Sequence, residues 1–590
     1  MTENHPEATA SNPANATPAP ARNGAEAVIE RFVKHEINTV FGYPGGCIMP
    51  LYDAFVDANI NHILCRHEQG CALAADGYAR ASGRIGVCIA TSGPGATNLI
   101  TGVANAFADS IPLLVITGQV PTALIGTDAF QETDILGMTL GIVKHSYLVT
   151  DANALPEIID YAITLAQTGR PGPVWIDIPK DILLAPLHPP AASPVESPAR
   201  QSPPAHPHID ETRLAEAIDL IQNAKRPVLY SGGGITLGQA HESFAEFVET
   251  TQLPSVVTLK GIGNTHEGYA YHLGMLGMHG SRAANLAVQD ADLLICIGAR
   301  FDDRATGKIA TFAGKAKIIH IDIDNAELGK LKPVDVALRG HLNTLLPRLT
   351  QALEYSPPDI GEWREHCRKL RQTAGFRVPA NQTGPQDQIS GPAFVSLLSR
   401  LAPEHSTISC DVGQHQMWVA QYAHFTHPRQ HLSSGGLGTM GYGLPAAIGA
   451  QFAHPQATVI NVSGDGSFMM NLQELGTLKR YGLPIKIIIL DNQCLGMVRQ
   501  QQELFYQERY SEIDLSDNPD FCALASAFGI ASLQITQANQ MRRGIETLFA
   551  YPGAMLLHVA ITQRENVWPM VAPGACNSQM LDESTQRTAQ

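Results

Sequence analysis

The sequence predicts an α/β protein of three doubly wound parallel-sheet domains, and three observations carry that prediction. Short β-branched runs end in glycine and alternate with helical stretches: Leu113 to Thr117, Pro227 to Tyr230 before a triple glycine, Leu293 to Ile297 before Gly298, Ile318 to Asp322, Thr458 to Val462 before Ser463-Gly464, and Ile485 to Leu490. That alternation marks parallel sheets wrapped by helices, whose ligands sit at the carboxyl ends of the strands. The chain has 590 residues, several times the ~100–200 of one domain. Pro, Ala and Ser crowd residues 185–208, and a second irregular stretch lies at about 355–390. Both read as connections. The expected layout is a disordered tail over 1–22, a first domain over 23–185, a linker over 186–208, a central domain over 209–352, a linker over 353–389, a third domain over 390–565 and a C-terminal tail over 566–590. Helical periodicity at Ala393, Val395, Leu397 and Leu398 opens the third domain.

Composition removes several functions. Lys+Arg 40 against Asp+Glu 55 gives a net charge of −15, which opposes the clustered basic surface that nucleic-acid binding needs. No apolar run approaches the ~18 residues that span a bilayer, so neither nucleic acid nor membrane is an expected partner. The 10 cysteines are scattered with no C-x-x-C pair, which fits a reducing cytoplasm better than a disulfide scaffold or a structural zinc site. The first 22 residues lack a basic start and an apolar stretch, so they do not read as a secretory signal. Charged residues make up 16% against the usual ~25%, which suggests that surface is buried between subunits.

The strongest local signal is Ser463-Gly464-Asp465-Gly466-Ser467, which follows the strand ATVINV and opens a predicted helix SFMMNLQELGTLKRYG; the strand LPIKIIIL then leads to Asp491-Asn492-Gln493. The glycines let backbone amides approach an anion where helix dipoles favour negative charge. Asp465 and Asn492 are 27 residues apart, about one crossover, so both can offer oxygens to one hard cation at adjacent strand ends. With a main-chain carbonyl, plausibly that of Cys494, two phosphate oxygens and a water, they would complete the octahedron Mg²⁺ demands. A capped strand-end turn explains the Gly-Asp-Gly alone but not the Asn at the end of the next strand. This spacing resembles the signature of thiamine diphosphate enzymes. Their chemistry also needs a carboxylate against N1′ of the aminopyrimidine. Glu68, in RHEQG at 66–70, fits when joined to TSGPGATN at 91–98, although a helix-start Glu favoured by the macrodipole is its structural alternative.

The resemblance then runs through nearly the whole chain, from about residue 22 to 575. FGYPGG at 41–46, IGTDAFQE at 125–132, GRPGPVWIDIPKD at 169–181, GMLGMHG at 274–280, GARFDDR at 298–304, DVGQHQMW at 411–418, GTMGYGLPAAIGA at 438–450 and LGMVRQ at 495–500 resemble the catalytic large subunits of the acetolactate synthase family. The resemblance implies pyrimidine-binding, central flavin-binding and diphosphate-binding domains, with thiamine diphosphate, Mg²⁺ and FAD as cofactors. It implies decarboxylation of pyruvate and transfer of the two-carbon unit to a second 2-keto acid, at the start of valine, leucine and isoleucine synthesis. It also implies a homodimer or dimer of dimers in which Glu68 of one subunit faces the diphosphate of the other, and a possible small regulatory subunit.

Residue by residue, Gly45, Ser92, Gln414, His415, Met440, Gly464, Asp465, Gly466, Ser467, Asn492 and Met497 are implied cofactor contacts. Asp465, Asn492 and Cys494 are the implied metal ligands. Core packing is the alternative for the two methionines. Phe130, Gln131, Gly45 and Lys180 resemble residues lining the substrate approach, with a solvated strand-end lysine as the alternative for Lys180. Arg170, Gly233, Gly274, Met278, His279, Gly298, Arg300, Asp302, Asp322 and Ile323 are implied flavin or channel contacts. Arg304 would in addition pair bidentately with the carboxylate of the second 2-keto acid; its alternative is a surface pair with Asp302 or Asp303. Rival readings are a catabolic flavin-free acetolactate synthase, a pyruvate oxidase, and a non-catalytic nucleotide-binding scaffold. GARFDDR opposes the first, and intact Glu68, Asp465 and Asn492 oppose the last.

The chain departs from the family at Gln501, where LGMVRQ is usually followed by Trp. An amide in place of a large apolar wall removes contact worth ~1–3 kcal/mol per methylene. Gln501 is therefore expected to weaken the preference for 2-ketobutyrate over pyruvate as acceptor and to lower sensitivity to sulfonylurea-type inhibitors. A competition assay with both acids should show near-parity of the two products, and a strong 2-ketobutyrate preference would refute this reading.

Overall fold

The computed structural model describes residues 22–188, 208–378 and 387–583. Three six-stranded sheets, parallel throughout, organise it. The first contains β1 (Thr39–Gly42), β2 (Asn61–Leu64), β3 (Gly86–Ala90), β4 (Leu113–Gln119), β5 (His145–Leu148) and β6 (Val174–Pro179), in the order β2-β1-β3-β4-β6-β5. The middle sheet contains β7 (Pro227–Ser231), β8 (Ser255–Val257), β9 (His272–Met275), β10 (Leu293–Ile297), β11 (Lys317–Asp322) and β12 (Val336–Arg339), ordered β12-β11-β10-β7-β8-β9. The third contains β13 (Thr407–Cys410), β14 (His431–Ser433), β15 (Val459–Gly464), β16 (Lys486–Asp491), β17 (Ala531–Ile535) and β18 (Met555–Ala560), ordered β14-β13-β15-β16-β18-β17.

Counted from its own first strand, the third sheet repeats the order of the first. The middle sheet has the doubly wound dinucleotide order, with its reversal between β7 and β10, where such sheets take ligands. Helices on both faces leave the central strands β3, β4, β7, β10, β15 and β16 wholly buried. This explains their continuous apolar runs.

The first and third domains meet where the helix Glu68–Ser82 crosses the helix Gly443–Ala453. Small residues make the crossing possible. A Cβ on Gly77 would overlap the backbone of Ala446, and one on Gly449 would overlap the carbonyl oxygen of Ala74. Beside it lies a buried charge cluster that ties in the middle domain. Arg80 donates to Asp76 at 2.5 Å and pairs with Asp109 at 2.9 Å, while Lys260 donates to the Ser433 carbonyl at 2.8 Å.

Two expectations need correction, and the order of the C-terminal segment, which the sequence left open, becomes visible. The stretch 353–389, expected to be irregular, contains the helix Gly361–Ala374 and the end of the helix Leu342–Tyr355. Trp363, Cys367, Leu370 and Ala374 recur at helical spacing and pack on the middle core, and Trp363 Nε1 donates to the Pro227 carbonyl at 3.0 Å. The single helix expected after Gly-Asp-Gly is broken into Asp465–Phe468, a 3₁₀ turn Leu472–Glu474 and Leu475–Tyr481. Asn471 leaves helical geometry there and donates to the Gly441 carbonyl at 2.8 Å. The C-terminal segment is anchored as far as it is described: β19 (Met570–Val571) pairs antiparallel with β20 (Met580–Leu581), and Asn577 donates to the Ala305 carbonyl at 3.0 Å. The expected tail over 1–22, Arg22 aside, and most of the linker over 186–208 lie outside the described residues. No described helix is long and apolar enough to cross a membrane.

Overpacking a tight contact costs ~1–3 kcal/mol or more. Gly449→Ala should therefore lower the thermal midpoint by several degrees in calorimetry, whereas alanine at the uncrowded Gly141 should leave it in place.

Candidate active site

At the carboxyl ends of β15 and β16, which pair Gly464 with Leu490, Asp465 and Asn492 stand on neighbouring strands. Both are buried. Asp465 Oδ2 accepts from Asn518 Nδ2 at 3.2 Å, and Asp465 stands level with Asp491, each one residue beyond the paired Gly464 and Leu490. Burial and that facing carboxylate push Asp465 up, while hydrogen bonds from His558 and the Gln493 amide hold Asp491 down. Asn492 Oδ1 accepts the Cys494 amide at 3.2 Å, which bends the chain so that residue 494 sits against the seat. Among the described residues no group of three or more His, Cys, Asp or Glu side chains could hold a metal. A cation here would thus have to draw oxygens from a bound diphosphate, and a hard divalent ion suits the oxygen donors present.

The surrounding loops shape this seat. His415 is buried and neutral, its ring pushed down to about 3 by desolvation. Its Nε2 accepts the Gly464 amide at 3.2 Å, and a Cβ on Gly464 would press on the ring at 2.9 Å. Ser467 Oγ and Gly464 exchange hydrogen bonds at 3.2 Å. Gln414 Oε1 accepts from Asn492 at 3.3 Å, and its amide nitrogen reaches Gln500 and the Glu565 carbonyl. A Cβ on Gly466 would press on the Leu515 and Leu495 side chains at 2.9 and 3.1 Å, so the turn packs closely there, with the Met440 Cε next at 3.9 Å.

Glu68 opens its helix, with His67 as the N-cap accepting from Gln69. Glu68 Oε2 accepts from Asn98 Nδ2 at 3.0 Å, and Oε1 faces Gly95, whose missing side chain leaves room. Ser92 is buried, and among the described residues its Oγ has no hydrogen-bond partner, which suits a ligand contact. Gly45 packs against Thr91 so closely that a Cβ would collide with that side chain. Gln131 adopts a left-handed φ of 63° beside Gly93. Phe130 is 88% exposed, and Lys180 begins the helix Lys180–Leu184 at the end of β6. No hydrogen bond joins Glu68 to Asp465 or Asn492 within the described chain.

A cavity of about 630 Å³, within the ~300–1,000 Å³ of ligand sites, lies where the middle domain meets the other two. Gly232, Gly233 and Gly234 after β7 face Gly298 after β10, and a Cβ on Gly234 would stand 2.6 Å from Gly298. Arg170, Met278, His279, Arg300, Asp302, Arg304, Asp322 and Ile323 also line it, as do Met497 and Gln501 from the third domain. Gly274 does not; it turns toward Phe376 and Ser281 while Met275 takes the cavity wall. His279 is buried with neither ring nitrogen hydrogen-bonded among the described residues, an orphaned polar group that a ligand would satisfy. Asp302 is spent partly on capping the Ala305 amide at 3.2 Å, Arg170 donates to Glu327 at 2.7 Å, and burial raises Asp322 to about 6. Arg304 is largely exposed at the mouth, its closest acid Asp303 at 4.0 Å.

Comparison with known proteins agrees with this division. Residues 22–138 match the N-terminal TPP binding domain of thiamine pyrophosphate enzymes, 214–349 their central domain and 411–559 their C-terminal TPP binding domain. The chain is 53% identical to the acetolactate synthase isozyme 2 large subunit of Escherichia coli, over 95% of this chain and all of that relative. It is 47% identical to the acetolactate synthase large subunit of Pyropia yezoensis (95% of each chain), and 44% identical to the isozyme 1 large subunit of E. coli, over 95% of this chain and 98% of the relative.

Sequence reasoning missed two buried carboxylates that serve the site. Glu474 accepts the backbone amides of Arg66 at 3.0 Å and His67 at 3.1 Å, plus Thr477 Oγ1 at 2.6 Å, and so fixes the turn before Glu68 from another domain. Asp411 accepts the amides of Val412, Gly441 and Tyr442 and the Ser463 hydroxyl, fixing the turn that presents Met440. Asp411 opens the stretch DVGQHQMW, but its side chain acts on amides thirty residues away; for Glu474 a clue existed only in Gly70, where a Cβ would collide with it. An orphaned buried amide costs ~1–3 kcal/mol, so Glu474→Leu should lose at least ~2 kcal/mol in denaturant unfolding, and Glu474→Gln, which keeps one acceptor, should lose less.

Proposed function

The chain belongs to the acetolactate synthase large subunits within the thiamine pyrophosphate enzymes, a family of thiamine-dependent carboligases, and from that premise we propose how it joins two 2-keto acids. The reaction is decarboxylation of pyruvate followed by ligation of the two-carbon unit to pyruvate or 2-ketobutyrate, giving 2-acetolactate or 2-aceto-2-hydroxybutyrate. The observation that carries this reading is the pair Asp465 and Asn492 on adjacent strand ends beside an amide-lined glycine turn.

When bound, thiamine diphosphate supplies an acidic carbon that becomes the nucleophile and a cationic ring that accepts the electrons released with CO₂. Everything else falls to the protein. Asp465, Asn492 and the Cys494 carbonyl would hold Mg²⁺, and the amides of Gly466 and Ser467 would receive the diphosphate. Glu68 would hold the proton at N1′, with Asn98 fixing its other oxygen. Met440 and Met497 would supply apolar contact to the coenzyme, and Gln131 and Lys180 would orient the keto acid. Arg304 opens onto the same cavity as Met497 and Gln501, which supports its role as the anchor for the second carboxylate.

The fold order of the middle domain, its glycine-edged cavity and the unpaired His279 ring support FAD there. With no net electron transfer in the reaction, the flavin would be structural. The same cavity opposes the flavin-free catabolic enzyme. The charged share of only 16% supports a homodimer, or dimer of dimers, in which each site takes Glu68 from one subunit. The relatives are named large subunits, which supports a small regulatory partner.

An acetoin-forming colorimetric assay should require both thiamine diphosphate and Mg²⁺, and the purified protein should be yellow. Glu68→Gln should abolish product, a loss of at least ~10²-fold for a proton-transfer group, while thiamine diphosphate still binds in calorimetry. Unchanged turnover in that variant would remove the proposed relay.

A further inference from the structure

Across four strands of the third sheet runs a file of polar side chains, exposed at its first member and buried thereafter, that the reaction as derived above does not use. It starts on β17 at Gln534, which is paired in register with His558 on β18. His558 is in turn level with Ile489 on β16, so Asp491, two residues further and on the same face, is its diagonal neighbour. The file ends at Asp465, which follows the Gly464–Leu490 pair at the tip of β15 and so stands level with Asp491.

The contacts are specific. His558 Nε2 lies 2.8 Å from Asp491 Oδ2, and Gln534 Nε2 lies 3.2 Å from His558 Nδ1. With the amide donating to Nδ1, the ring carries its hydrogen on Nε2 and gives it to Asp491. The other oxygen of Asp491 accepts the Gln493 amide at 2.9 Å. Side-chain exposure is 9% for His558 and 8% for Asp491, and the ring of Phe521 closes edge-on over His558 with centroids 5.3 Å apart. A strand-end turn needs none of this, and burying polar groups across a sheet is costly unless every bond is made.

We propose that His558 is a positioning residue for the metal–diphosphate seat: by donating to Asp491 it keeps that second carboxylate turned toward Asp465, and this sets the affinity of the seat for a hard divalent cation. The inference rests on the seat described under the proposed function. Asp465, Asp491 and Asn492 follow the ends of the neighbouring strands β15 and β16, so the protein brings two carboxyls to a site whose ligand set would otherwise be completed by an anionic coenzyme. The imidazole and the Gln493 amide each hold one oxygen of Asp491, so its orientation beside Asp465 is fixed by the protein. Hydrogen-bond partners that orient metal-site carboxylates change metal affinity by ~10–100-fold when removed.

Bound Mn²⁺ can be counted by electron paramagnetic resonance on the full chain, with and without thiamine diphosphate, independently of turnover. His558→Leu should weaken Mn²⁺ binding in the presence of the coenzyme by ~10-fold or more. His558→Gln, whose longer amide can still reach Asp491, should stay within about 2-fold, a range too small to count as loss of a bond. His558→Asn, whose shorter amide reaches only toward Gln534, should behave like the leucine variant. The contrast between Gln and Asn keeps the test valid if the leucine chain fails to fold. Equal Mn²⁺ affinity in wild type and the Leu or Asn variants would overturn the positioning role and leave the seat intact. A wild-type chain without saturable, coenzyme-dependent Mn²⁺ binding would overturn the seat and this inference together.

Discussion

The close crossing of the helices Glu68–Ser82 and Gly443–Ala453 is the constraint on which the rest of the structure depends. Gly77 and Gly449 remove two Cβ atoms that would otherwise lie inside the opposite backbone, so the helices meet at backbone contact rather than through interlocked side chains. Such a contact has one solution and little tolerance. One helix begins with Glu68, and the other follows the turn that presents Met440. Packing distant in sequence thereby fixes where each chain presents its Glu68 and where it presents its coenzyme loops.

Buried carboxylates refine that relation without cationic partners. Glu474 and Asp411 each gather backbone amides rather than an arginine or lysine, which satisfies orphaned donors and stiffens the turns that precede Glu68 and follow Met440. Burial raises both acids, Asp411 to about 6. By contrast the junction of the three domains is charge-balanced, with Arg80 and Lys260 facing Asp76 and Asp109. The molecule separates two tasks: ion pairs fix the domains, and amide-holding acids fix the loops.

The legible parts of the sequence were those whose chemistry is contiguous. Gly464-Asp465-Gly466 and Asn492 announce themselves because a strand, a turn and the next strand end must lie close in sequence to form a βαβ unit. Three sheets were readable because buried parallel strands are apolar on both faces. The helix Gly361–Ala374 was not, since its narrow stripe of Trp363, Cys367, Leu370 and Ala374 is hidden among charged residues and follows Pro357-Pro358. The break at Asn471 was invisible because it depends on the Gly441 carbonyl, thirty residues away. Glu474, Asp411 and His558 share that reason: each acts on partners from other elements, so even Asp411, inside the stretch DVGQHQMW, gives no local sign of what it holds. Gly274 shows the converse, a glycine within a fitting motif whose backbone turns it from the cavity.

The account's central claim is that one functional centre unites Glu68 of one subunit with Asp465 and Asn492 of another. Two inactive chains, one carrying Glu68→Gln and the other Asp465→Asn, can be mixed, dissociated and reassembled, and the acetolactate formed can then be measured. Sites shared between subunits predict that product formation, absent from either chain alone, reappears in the mixture, because hybrid dimers contain one centre with both residues intact. Persistent inactivity of a mixture proven to contain hybrids would contradict the claim and place both groups within a single chain.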